Sequence, residues 1–191
     1  ASPTRMNMRA RFTPPWDARF PLGSDAFGRD VLSRLVHGAR VSLRIGAMVV
    51  VVAGILGTLI GAAAGYFRRF DGPLMRVMDA FMAFPAILLA IAIAAALGPS
   101  EANVVAALAA VYTPRTARIV RAAVLQLREA EFVQAARVSG AGDAFILRRH
   151  ILPNCTAPLT VQLTFVFAYA VLAEAVLSLS LIHISEPTRH G

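Results

Sequence analysis

Two apolar runs constrain this chain more than anything else in it. Val41 to Tyr66 is interrupted by one charge, Arg44, and Thr156 to Ser178 by one, Glu174. A helix needs about 20 such residues to cross the hydrocarbon core of a bilayer, and both runs are long enough. Between them lies a polar, arginine-bearing segment, Glu131 to Asn154, EFVQAARVSGAGDAFILRRHILPN. A chain that only anchors itself needs no folded polar insert there.

The insert reads as a helix, a break and a second helix. Ala135 and Ala136 favour helix across Val133 to Val138. Gly140 and Gly142 supply the backbone freedom that ends it. Asp143 is the expected N-cap of a second helix from Ala144 to about His150. Pro153 is expected to close that helix, since proline lacks the N–H and disfavours helix in the residue before it. An elbow of this kind has the shape of a docking element for another protein.

Composition supports a membrane class. The chain is 57% hydrophobic and 16% charged, with a mean hydropathy of +0.63, against about 25% charged residues in soluble domains. All 19 basic residues are arginine. A Walker-type ATP site needs its lysine on the phosphates, so ATP, if used, must bind another chain. The net charge of +8 would fit nucleic acid, but the arginines border apolar runs, which points to membrane topology. The one cysteine, Cys155, is expected to be a small packing residue.

The remaining spans follow. The first contains Gly57, Gly61 and Gly65, a spacing that lets another helix approach closely. Leu74 to Leu97 is the second, kinked at Pro85. The third starts near Glu101, runs past Val111 and is expected to be interrupted by Pro114. Thr156 to Ser178 is the fourth. Before them, Ala26 to His37 reads as a short amphipathic helix within an N-terminal segment, residues 1–40. The arginines between spans one and two, and those from Arg115 to Arg149, place both loops in the cytoplasm and Gly98 to Asn103 outside. Residues 1–40 are then extracytoplasmic, although they hold seven arginines.

Several motifs resemble one family. Gln134-Ala135-Ala136, then Gly140, then Ile151-Leu152-Pro153 is similar to the coupling loop of ABC importer permeases. Pro21-Leu22-Gly23-Ser24-Asp25, Gly28-Arg29-Asp30-Val31-Leu32-Ser33-Arg34, Gly38-Ala39-Arg40-Val41-Ser42-Leu43, Ala83-Phe84-Pro85, Leu127-Arg128-Glu129 and Ala173-Glu174-Ala175 resemble its dipeptide, oligopeptide and nickel branch. Gln134 stands where that loop usually has glutamate. His150 before Ile151-Leu152-Pro153-Asn154 is ordinary in the branch.

The resemblance implies an all-α, polytopic transmembrane bundle, with about four of six expected spans in residues 41–178 and the coupling elbow at 131–154. It implies a permease subunit of an ATP-driven importer for peptides or nickel, multi-pass in a bacterial or archaeal plasma membrane, the inner membrane in a Gram-negative cell. No covalent chemistry or cofactor belongs to this chain. ATP and Mg would lie on partners. Those partners are a homologous permease subunit, two ATP-binding cassette subunits, an extracytoplasmic solute-binding protein and membrane lipid, with no nucleic acid. The resemblance also implies that a span precedes Pro21. Residues 179–191 resemble translated adapter sequence, a non-native tail, so that His183 and Glu186 carry no function.

The candidate coupling residues are Glu131, Gln134, Ala135, Ala136, Gly140, Asp143, Ile151, Leu152 and Pro153. Ala135, Ala136 and Gly140 would give a small face for a partner groove, with Glu131, Gln134 and Arg137 bonding at its rim. Thr156, Thr160 and Thr164 share a helix face and either line a solvated pathway or bond their own helix. Asp79 and Glu174 are acidic groups near membrane depth; Arg76 or another subunit's arginine is the expected partner of Asp79. Gln162 points elsewhere, toward a partner permease. Arg29, Asp30 and Arg34 are expected to pair at a helix surface. His37 and His150 are isolated, and polar anchoring is favoured over a metal site. The rival classes are a secondary transporter or channel without an ATPase, an intramembrane enzyme, and a fragment inert by itself. Nearly uncharged central spans oppose the first, and the separation of Asp79 from Glu174 opposes the second.

Overall fold

The computed structural model describes residues 11–17, 20–98 and 100–184, the last seven as helical backbone alone. Residues 1–10 of the N-terminal segment and 185–191 of the expected tail lie outside the described residues. The chain divides into two compact units, Ala1–Arg44 and Ile45–Gly191.

In the first unit, turns over residues 20–29 lead into helix α1, Val31–Tyr66. The separate helix expected over Ala26 to His37 does not form: residues 26–30 are turn and bridge, and the rest opens α1. Asp30 caps that opening, its Oδ1 accepting from the Leu32 N–H at 3.1 Å. The expected arginine–Asp30 set is therefore centred elsewhere. Asp25 takes both guanidiniums, Arg29 at 2.8 Å and Arg34 at 2.6 Å. It also accepts from the N–H groups of Phe27 and Arg29. The backbone bond from Arg29 leads the group of donors that holds this carboxyl well below the usual carboxylate range, against some desolvation.

The second unit is helical throughout among its described residues: the rest of α1, then α2 Arg68–Met82, α3 Ala86–Leu97, α4 Glu101–Arg128, α5 Glu131–Val138, α6 Asp143–Ile146 and α7 Thr156–Ile184. The four expected spans fall on α1, the α2–α3 pair, α4 and α7, of which α4 is not apolar enough to qualify as a span by composition. By length and composition α1 and the stretch Asp143–Leu177 can cross a membrane, and α2–α3 makes a third if the bent pair is one span. The expected kink at Pro85 is a full break, with the two helices at 91°. Pro85 caps α3 instead of bending a continuous helix.

Helix α4 is the centre of this unit. It touches α2, α3 and α7, and α1 meets it through the glycine spacing. A Cβ at Gly57 would fall 2.6 Å from the Cβ of Thr116, one at Gly61 2.8 Å from that of Val120, and one at Gly65 2.8 Å from that of Val124. The backbones therefore approach where only glycine fits. Such enclosure explains why α4 runs unbroken through Pro114, which is almost fully buried. The hydroxyls of Thr113 and Thr116, which flank the proline, donate to the carbonyls of Ala109 and Tyr112 one turn back and so are satisfied within the helix.

Two ion pairs tie α2 to α4. Arg121 grips Asp71 through two parallel bonds of 2.5 and 2.6 Å, a geometry that guanidinium and carboxylate share. Asp79 pairs with Arg118, not with Arg76. Both of those side chains are about half exposed, so this pair contributes little to stability.

Candidate functional site

The expected elbow is present at the joined ends of α1 and α4. Helix α5 ends as the glycine predicts. Gly140 has φ +84°, the Gly140 N–H bonds the Arg137 carbonyl at 3.1 Å, and the Ala141 N–H bonds the Ala136 carbonyl at 3.0 Å. These are the two bonds of a Schellman stop. The second helix differs from expectation at both ends. Gly142 occupies the N-cap position, and Asp143 is the first helical residue with no capping bond from its side chain. Pro153 does not close the helix. The chain passes from α6 through a π-helical turn, Leu147–Ile151, and a 3₁₀ turn, Leu152–Cys155, directly into α7. The widened π turn, with the Leu152 N–H bonded to the Leu147 carbonyl, makes room for a proline ring that a regular helix would drive into a carbonyl.

The elbow is pinned from within. Val133, Ile146 and Ile151 are fully buried in one cluster with Ala62, Tyr66, Val120, Val124 and Cys155. Burying each such side chain is worth about 1.5–3 kcal/mol relative to leaving it in water. Cys155 is thus a packing residue, as expected. Leu152 packs against the same cluster, while Pro153 stays exposed.

Polar side chains complete the attachment. The Tyr66 hydroxyl, at the end of α1, donates to Asp143 Oδ1 at 2.6 Å, and Arg137 bonds the same hydroxyl. Gln134 donates through Nε2 to the Arg128 carbonyl at 3.2 Å, capping α4. Arg128 reaches the carbonyls of Gly65 and Tyr66, each at 3.3 Å, capping α1. Gln134 therefore braces the elbow inward, while the other two expected rim residues, Glu131 and Arg137, remain exposed. The small face divides as well: Ala136 packs on the cluster, while Ala135 and Gly140 are exposed.

The elbow presents three large apolar side chains outward, beside the exposed Arg148 and Arg149. Val138 is 90% exposed, Phe145 56% and Phe132 44%. The His150 ring lies between the two phenyls, with centroids 5.7 Å from Phe145 and 6.3 Å from Phe132. Phe132, Ala135 and Val138 recur every third residue of α5. Sequence reasoning passed over Phe132, Val138 and Phe145, although hydrophobic residues at polar-helix positions were the available signal.

The other candidates fall apart from the elbow. Thr160 and Thr164 donate to the carbonyls of Thr156 and Thr160, and Thr156 to that of Pro153. Their hydroxyls are thus satisfied by their own chain, the second of the two expected arrangements, on an exposed face. Gln162 is buried, 6% exposed, and faces the interior of this unit instead of a partner. Glu174 is half-buried and has a partner. Asp79 lies on α2 and is not brought to the elbow.

A bundle of apolar helices, with a pinned polar elbow and an apolar outer face, is the architecture of a membrane-embedded transport component. The comparisons with known proteins agree. The family described as binding-protein-dependent transport system inner membrane component matches residues 53–182, and the chain belongs to that family. A peptide transport system permease protein of Brucella suis is 57% identical over 189 residues, 99% of this chain and 63% of that protein. The di/tripeptide transport system permease protein of Pseudomonas aeruginosa is 47% identical over 92% of this chain and 60% of its own. For the dipeptide transport system permease protein of Haemophilus influenzae the values are 36%, 97% and 65%. The chain thus spans under two thirds of the length of these relatives.

Proposed function

We propose that this chain is part of the membrane-spanning subunit of an ATP-driven importer of short peptides, and that its elbow docks on a separate ATPase. The observation that carries this reading is the elbow's two-sidedness. Val133, Ile146 and Ile151 fix it to α1 and α4, while Phe132, Val138 and Phe145 present apolar surface outward with no covering element among the described residues. A rigid lever with a sticky outer face transmits movement of its partner into the bundle. The arginine-bearing loops gather at that end, so it faces the cytoplasm. ATP and Mg would bind the partner, since this chain has no lysine for a P-loop. A homologous permease subunit, two ATPase subunits and an extracytoplasmic binding protein would complete the assembly in the inner membrane. Peptide as the solute follows the peptide, di/tripeptide and dipeptide transport permeases that the chain resembles.

Co-purification of the complete gene product with the ATPase encoded beside it tests this. Wild type should retain the ATPase, and Val138→Asp, at a position with no packing role, should lose it with the unfolding temperature unchanged. Absence of the ATPase from the wild-type sample would overturn the reading in favour of a transporter that runs without one.

A further inference from the structure

The end of α1 carries a second feature that the elbow's docking leaves unused. A cleft of about 670 Å³ opens there, and four arginines line it, Arg68, Arg69, Arg128 and Arg137, against two carboxylates, Glu129 and Asp143. Arg128 and Arg137 are held in place by the carbonyls of Gly65 and Tyr66 and by the Tyr66 hydroxyl. Arg68 has no hydrogen bond or ion pair among the described residues, and Arg69 only stacks on Phe70, 4.5 Å from its ring centre. The lining therefore carries two more positive than negative charges.

We propose that this cleft binds the phosphate headgroup of an anionic phospholipid. Depth is the first argument. The apolar run of α1 ends at Tyr66, and the next residues are Phe67, Arg68, Arg69 and Phe70. Aromatic rings and arginines in that order mark the headgroup plane of a bilayer. Shape is the second. Phe70 is 40% exposed beside the Arg69 guanidinium, so its ring offers a surface for glycerol and the first acyl carbons. Guanidinium forks match phosphate oxygens two at a time. An acidic protein surface is the rival occupant, which retention of the ATPase by the arginine variants separates from lipid.

Binding of acyl-labelled phosphatidylglycerol to the complete gene product in detergent tests the proposal, with phosphatidylcholine as competitor. Wild type should prefer phosphatidylglycerol. Arg68→Gln with Arg69→Gln should weaken binding about thirtyfold, a factor of about five for each arginine. Arg148→Gln with Arg149→Gln, the same charge loss on the exposed elbow, should leave it unchanged. Arg68→Lys with Arg69→Lys should retain most of it, and the unfolding temperatures of all variants should match. Four results would overturn the proposal: no preference for phosphatidylglycerol; equal loss in both glutamine pairs, which means general surface charge; displacement of the lipid by millimolar inorganic phosphate, which means a soluble ligand; or unchanged lipid binding with loss of the ATPase in Arg68→Gln, Arg69→Gln, which assigns the cleft to the protein partner.

Discussion

Gly61→Ala adds one methyl group where α1 lies on α4, and the structure fixes its cost. The new Cβ would sit 2.8 Å from the Cβ of Val120 and 3.0 Å from the amide nitrogen of Arg121, with the Ala117 carbonyl oxygen nearer still. None of these atoms moves by a rotamer change, so the helices must part. Over-packing of this kind costs about 1–3 kcal/mol. Gly38→Ala, in the same helix, is the matched control, since nothing lies within 4 Å of a Cβ there. Alanine is the better helix former by about 0.5–1 kcal/mol, so the control should be neutral or stabilising. Both variants gain that term, so they should differ by the over-packing cost alone, about 1–3 kcal/mol. Thermal unfolding of the complete gene product in one detergent reads the difference, at about 2–4 °C per kcal/mol for a chain of this size. A Gly61→Ala midpoint equal to that of Gly38→Ala would refute the close approach of α1 and α4.

Other outcomes follow from the elbow and the N-terminal turns. Ile146→Ala should cost about 2–5 kcal/mol and loosen the elbow before the bundle, seen as faster amide exchange over residues 143–151. Tyr66→Phe keeps the ring and removes the bond to Asp143; it should cost about 1 kcal/mol and raise exchange at the same amides. Gln134→Glu removes the only donor that reaches the Arg128 carbonyl, since a carboxylate accepts but does not donate, and should fray the end of α4 by a similar amount. Asp25 has a folded pKa below its ordinary value of 3.8. Its contribution to stability is therefore complete above about pH 4 and is lost as pH falls below that. The fluorescence of Trp16, the chain's one tryptophan, should report opening of the turns there in acid, and Asp25→Asn should abolish that dependence.

The apolar runs, the glycine spacing and the glycine stop of α5 were legible because each is a local pattern with one physical solution. The two prolines misled for the converse reason. Whether Pro114 breaks α4 depends on its burial among other helices, which no local pattern announces. The passage of Pro153 depends on a π turn that nothing in LRRHI announces. The ion pairs were hidden too, since Asp71 meets Arg121 across 50 residues and Asp79 meets Arg118 across 39. At the elbow the motif located the site but not its faces: Gln134 and Ala136 turn inward because the end of α4 needs a cap and the core cluster needs cover. That leaves the outward role to Phe132, Val138 and Phe145.

Cysteine cross-linking at Val138 tests the central claim most directly. The only cysteine of this sequence, Cys155, is buried, so a new thiol at position 138 dominates the labelling of this segment. Membranes holding the complete gene product and its neighbouring ATPase should give a covalent adduct between the two from Val138→Cys and none from Val161→Cys, which is 60% exposed on α7. No adduct from position 138, or equal adducts from both, would contradict an elbow that docks the ATPase.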